Sequence, residues 1–134
     1  MATDRLADGY EPDFDIDYQV GHQAELFVKS LIDSLAAGRI EVKRDARAAD
    51  TGNIYVETEC KRMGVYRPSG IAATKADAWA FVLSDDLVVI TTTTGLRRAM
   101  EHGSIAGCPR GSHPTRGVLI RIPDLFQRLG EVDA

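Results

Sequence analysis

Between Gly21 and Ala37 apolar residues recur at helical spacing. At about 100° per residue, Ala24, Phe27, Val28, Leu31, Ile32 and Leu35 share one stripe, and Gly38 supplies a stop. The pattern predicts an amphipathic helix. Glu25 lies beside Ile32 at the border of that stripe, away from Lys29 and Asp33 on the polar face. Upstream, Asp13-Phe14-Asp15-Ile16-Asp17-Tyr18 alternates with period two, which reads as a charged edge strand or as a solvated acidic leader.

Two alternating runs follow. In 39–45, Ile40 and Val42 alternate with Glu41, Lys43 and Asp45; in 53–61, Ile54 and Val56 alternate with Tyr55, Glu57, Glu59 and Lys61. Turn residues fill 49–53, so the two runs are expected to form an antiparallel hairpin. Pro68-Ser69-Gly70 marks a loop, and 71–77 a short helix. The apolar run 78–83 and the fully buried strand expected at 87–90 are separated by a turn at Asp85-Asp86. Thr93 or Thr94 can cap a helix running from about Gly95 to His102. A Gly- and Pro-containing loop is expected over 103–116, a last strand over 117–122, and a C-terminal helix from Pro123. The order α-β-β-(α)-β-β-α-β-α describes one α/β domain over 1–134, with a central mixed sheet flanked by helices. In it, 21–92 forms the core and 93–134 a basic loop, strand and helix.

Composition narrows the function classes. The 134 residues are 44% hydrophobic and 27% charged, enough for a buried core and unlike a disordered chain. No apolar run approaches a membrane span and no signal-peptide core is present, so a cytoplasmic protein is expected. Cys60 and Cys108 do not make a disulfide framework. The net charge is −4, but eight acids against Arg5 and Lys29 make 1–38 carry −6, which leaves +2 for the remainder. Within 93–122, Arg97, Arg98, Arg110, Arg116 and Arg121 face Glu101 alone. That cluster is either a phosphate-contacting surface or an ordinary solvated loop.

The chemistry concentrates in the two alternating runs. If they pair, Asp45 sits opposite Glu57 or Glu59, about 5 Å away, close enough for two carboxylates to share a divalent ion. Oxygen ligands of this kind suit Mg²⁺, with Mn²⁺ as substitute. Period two also puts Glu41, Lys43 and Asp45 on one face, and Glu57, Glu59 and Lys61 on one face. An adjacent lysine would stabilise developing phosphoryl charge or orient the attacking water. The bland alternative is a solvated hairpin face with cross-strand ion pairs. His102, Cys108 and His113 match no zinc module, and neither a Gly-rich phosphate loop nor a nucleophile elbow is present. Trp79 is assigned to the core.

A helix with Glu25, then Asp45, then Glu57-Thr58-Glu59-Cys60-Lys61 resembles the PD-(D/E)XK phosphodiesterase superfamily. That superfamily includes restriction endonucleases, archaeal-type Holliday junction resolvases and many small phage nucleases. The segments Pro68-Ser69-Gly70-Ile71 and Ala76-Asp77-Ala78-Trp79 are similar to small phage-borne members. The resemblance covers about 21–92. It implies a restriction-endonuclease-like core and a Mg²⁺-dependent endodeoxyribonuclease, acting on DNA in the cytoplasm of a bacterial host. A junction-resolving member would act as a homodimer. It implies Asp45 and Glu57 as metal ligands, Glu59 as a further ligand, and Glu25, Glu59 and Lys61 in the catalytic group. Lys43, Arg97, Arg98, Arg110 and Arg116 would contact DNA. Two alignments stay open: Glu57 as the acid with Glu59 at the lysine position, or Glu59-Cys60-Lys61 as the motif, with Lys43 a migrated lysine in the first case. The alternative function is a nuclease-fold module that binds nucleic acid or a partner protein without cleaving.

Overall fold

The computed structural model describes residues 11–109 and 113–126. The chain divides into two compact units, Met1–Ala37 and Gly38–Ala134. In the first, α1 (Glu11–Ala36) is one continuous 26-residue helix. The alternating segment 13–18 is therefore helical rather than an edge strand or leader. Tyr18 stacks on His22 one turn on, with ring centroids 6.1 Å apart. Residues 1–10, the start of the expected leader, lie outside the described residues.

The second unit is an α/β fold with two sheets rather than one central sheet. β1 (Ile40–Arg44), β4 (Ala78–Ser84) and β5 (Leu87–Thr92) form a mixed sheet in the order β1-β4-β5. β2 (Asn53–Arg62), β3 (Val65–Pro68), β6 (Ser104–Cys108) and β7 (Thr115–Arg121) form an antiparallel sheet in the order β3-β2-β7-β6. The expected β1–β2 hairpin does not exist. β1 runs parallel to β4, from Ile40 beside Ala78 to Arg44 beside Val82, and β2 pairs with β3 and β7. The cause lies in the connection. Residues Ala48–Thr51 form a single helical turn, α2, closed by Gly52 at φ 72°, so the chain leaves β1's sheet before β2 begins.

The β4–β5 hairpin turns at Asp85-Asp86 as expected. β5 is an edge strand, however, and Leu87 and Val88 are half exposed rather than buried. α3 (Thr93–Met100) begins two residues early, because the Thr92 hydroxyl accepts the Gly95 N–H at 3.0 Å and caps it. The expected loop at 103–116 contains β6. Gly103 makes that pairing possible, since a Cβ there would lie 2.2 Å from Val118 Cγ1. The helix expected over 71–77 is a 3₁₀ turn, Gly70–Ala72. From Pro123 the expected C-terminal helix is a 3₁₀ turn, Ile122–Leu125; residues 127–134 lie outside the described residues.

The core of this unit draws Ile54, Val56 and Ile120 from one sheet, Trp79 and Phe81 from the other, and Leu96 and Ala99 from α3. Trp79 is buried there, as expected. No helix among the described residues is long and apolar enough to cross a membrane.

Candidate functional site

Asp45 stands immediately after β1. Its backbone N–H donates to the Val82 carbonyl at 3.1 Å, which extends the pairing with β4. Its carboxylate accepts two backbone N–H groups, Arg47 at 3.2 Å on Oδ1 and Tyr55 at 3.0 Å on Oδ2. Asp45 thus ties the end of one sheet to β2 of the other. An ionised carboxylate has about four acceptor positions, so each oxygen keeps capacity for another partner.

Glu57 lies on β2, half buried. The loop after β3 presses against its backbone: a Cβ on Gly70, which sits at φ 52°, would lie 2.2 Å from the Glu57 carbonyl oxygen. Asp45 and Glu57 do not oppose each other across a hairpin, but both line one cleft of about 320 Å³. Lys43, Arg44, Arg47 and Trp79 line the same cleft. Three cations and two carboxylates therefore meet there. Lys43 Nζ pairs with Glu41 at 2.9 Å and lies 5.7 Å from the centre of the Trp79 ring. The Trp79 indole N–H is buried without a hydrogen-bond partner among the described residues.

Glu59 and Lys61 lie elsewhere, and a β-bulge is the reason. Glu57 pairs with Gly117 but Glu59 pairs with Arg116, so Thr58 is an extra residue in the ladder. Opposed residues share a face and neighbours on β7 alternate. Glu57 consequently shares the face of Tyr55 and Gly117, whereas Glu59 and Lys61 share that of Arg116 and Tyr66. The expectation that Glu57, Glu59 and Lys61 share one face is corrected on this register. Around Tyr66, Arg116 Cζ stands 3.6 Å and Lys61 Nζ 5.6 Å from the ring centre. Glu25 is exposed on α1, in the first unit.

The arginines of 93–122 do not make one surface either. Arg116 and Arg121 stand at positions of opposite parity on β7 and face opposite sides of the sheet. Arg97 donates to the Ile71 carbonyl at 3.4 Å, Arg98 is half buried on α3, and Arg110 lies outside the described residues.

Sequence reasoning missed Tyr55 and Arg47. Tyr55 stands in the polar half of an alternation, and its neighbours on the same sheet face are set by a pairing that the local pattern does not carry. Its hydroxyl bonds Thr115 Oγ1 at 2.8 Å. Burial, with smaller contributions from Cys108, Glu57 and Tyr66, holds that hydroxyl's pKa above its ordinary 10.0. Tyr55, Asp45 and Arg47 also line a second cavity of about 470 Å³ that reaches Cys108 and Leu119. Cys60 and Cys108 are free and flank Thr115 from either side.

For a divalent ion, the described residues offer no group of three or more His, Cys, Asp and Glu side chains. The cleft offers two carboxylates, one of them held in orientation by two N–H groups. That donor set fits Mg²⁺, which takes one or two carboxylates together with water and substrate phosphate. Searches of family models, curated proteins and solved structures return no match to this chain.

Proposed function

We propose that the chain is a metal-dependent DNA phosphodiesterase of the PD-(D/E)XK type, an endodeoxyribonuclease working at the cleft beside β1 and β2. The observation that supports it is the meeting of Asp45 and Glu57 with Lys43, Arg44 and Arg47 around that one cleft. Carboxylates suit a Mg²⁺ or Mn²⁺ ion, and cations suit the phosphates on either side of a scissile bond. Asp45 and Glu57 would hold the ion, which when bound polarises a phosphoryl oxygen and acidifies a water. Lys43 takes the lysine role of the family motif, since Lys61 faces away from Glu57. Arg44 and Arg47 bind backbone phosphates and fix the strand's register in the cleft. Junction resolution is the specific form that needs a homodimer presenting two such clefts.

A nicking assay on supercoiled plasmid tests the proposal. Cleavage is expected with Mg²⁺, none with EDTA, and restored cleavage on adding Mn²⁺. Cleavage that persists in EDTA overturns it. A second reading, a module that binds DNA without cutting it, is favoured by one observation: Asp45 already performs a structural task in joining the sheets. Salt-dependent DNA binding with no nicking under any divalent ion would establish that reading instead.

A further inference from the structure

The turn between β2 and β3 consists of Met63 and Gly64, at φ 51° and 80°. Positive φ at both positions is the signature of a two-residue type I′ hairpin, whose first position favours Asn, Asp or Gly. Met63 is the one non-glycine residue at positive φ among the described residues, and its side chain is fully exposed. A long apolar side chain is thus held in a strained conformation where it packs on nothing.

The strands behind that tip carry Lys61, Arg62 and Arg67; no acid lies from Cys60 to Arg67, and Glu59, at the base of the ribbon on the Lys61 face, is the acid that bounds it. Lys61 opposes Tyr66 on one face of the ribbon. On the other, Arg62 opposes Val65 and Arg67 opposes Cys60. Cations therefore leave both faces. On the Lys61 face, Arg116 adds a further charge beside the Tyr66 ring. A ribbon positive on both faces and apolar at its tip matches the groove of a duplex, with phosphates along both walls and stacked bases at the floor. A flat anionic surface would engage one face only.

We propose that the β2–β3 hairpin is a wedge that enters duplex DNA, straddles it through Lys61, Arg62 and Arg67, and drives Met63 between adjacent bases. Apolar side chains used in this way unstack a base step and bend the duplex. The inference shares the DNA partner of the proposed function but does not depend on hydrolysis.

The test uses the full chain in EDTA and a short DNA duplex with 2-aminopurine at a central pyrimidine–purine step, which unstacks readily. Binding is expected to raise the 2-aminopurine fluorescence. Met63→Leu keeps the rise. Met63→Asn, the residue preferred by the turn, abolishes it while the melting temperature holds or increases. Replacing Lys61, Arg62 and Arg67 with Ala reduces the slope of log affinity against log salt by about 2.7, at about 0.9 per phosphate contact. The wedge is overturned if Met63→Asn unstacks the probe like the parent chain, if the slope is unchanged, or if the parent chain leaves the probe stacked. Unstacking in EDTA without nicking in Mg²⁺ keeps the wedge and removes the hydrolase. Nicking without unstacking does the reverse.

Discussion

Asp45 joins two sheets through its carboxylate and, on the proposed reading, also holds a cation, so substitutions there and at Glu57 separate the two tasks. Asp45→Asn keeps size but leaves one oxygen for two N–H donors, and is expected to cost about 1–2 kcal/mol of stability in urea unfolding. Glu57→Gln keeps the side chain's size at a half-buried position and is expected to stay within about 0.5 kcal/mol of the parent. Each should reduce Mg²⁺-dependent nicking at least about 100-fold, because an amide oxygen is a poor Mg²⁺ ligand. Full nicking by both variants would remove them from the chemistry. Tyr55 carries a pH signature. Its hydroxyl titrates above 10.0 in the folded chain, so the folded state binds the proton more tightly than the unfolded one. The resulting stabilisation is complete below pH 10 and is lost as pH rises through the folded value. Tyr55→Phe should therefore flatten the alkaline fall in melting temperature; an unchanged fall assigns it to other groups. At this scale the polar positions of Asp45 and Glu57 stood out in the sequence, but the hairpin expected to set them opposite each other is absent, and they reach one cleft from two different sheets. The face of Glu59 was not legible. One inserted residue, Thr58, reverses the parity of everything beyond it, and no local pattern marks a bulge.

Among the elements, the β2 segment at Glu57 depends on the loop that crosses it. Gly70→Ala brings a Cβ against the Glu57 carbonyl at a backbone angle that disfavours any side chain. It is expected to cost about 2 kcal/mol or more in unfolding and to lower nicking by displacing Glu57. A variant with parent stability and parent activity would show that the loop merely lies nearby. Turns with strong local chemistry were readable: Asp85-Asp86 between β4 and β5 needs nothing beyond its own residues. The partner of β1 was not readable, because alternation states which face a strand buries and is silent on what lies beside it. A short turn after Asp45, α2, sends β2 to another sheet. Nor was β6: Gly103 and Gly107 read as loop, while Gly103, just before the strand, permits the close approach to Val118 on β7. The helical state of 13–18 was hidden differently: Phe14 and Tyr18 stand one helical turn apart, but Ile16 between them makes the run alternate with period two.

Charge is divided unevenly over the whole chain. Residues 1–37 hold eight acids and two bases, and 38–134 hold twelve acids and fourteen bases, or −6 and +2. Any DNA contact therefore rests on local clusters such as the cleft and the β2–β3 ribbon, and its affinity should fall steeply with salt. The strand order adds a constraint on how such a molecule comes into being. β7 lies between β2 and β6, and Asn53 pairs with Arg121. During synthesis β2 leaves the ribosome long before its principal partner exists, and until Arg121 emerges the sheet has only its β2–β3 hairpin. Contacts this distant in sequence close slowly, and an unpaired β2, alternately apolar, is an edge open to other chains meanwhile. A chain stopped after Pro114 should show neither cooperative melting nor solubility comparable to the parent, and slowed translation across 100–121 should lower the soluble yield.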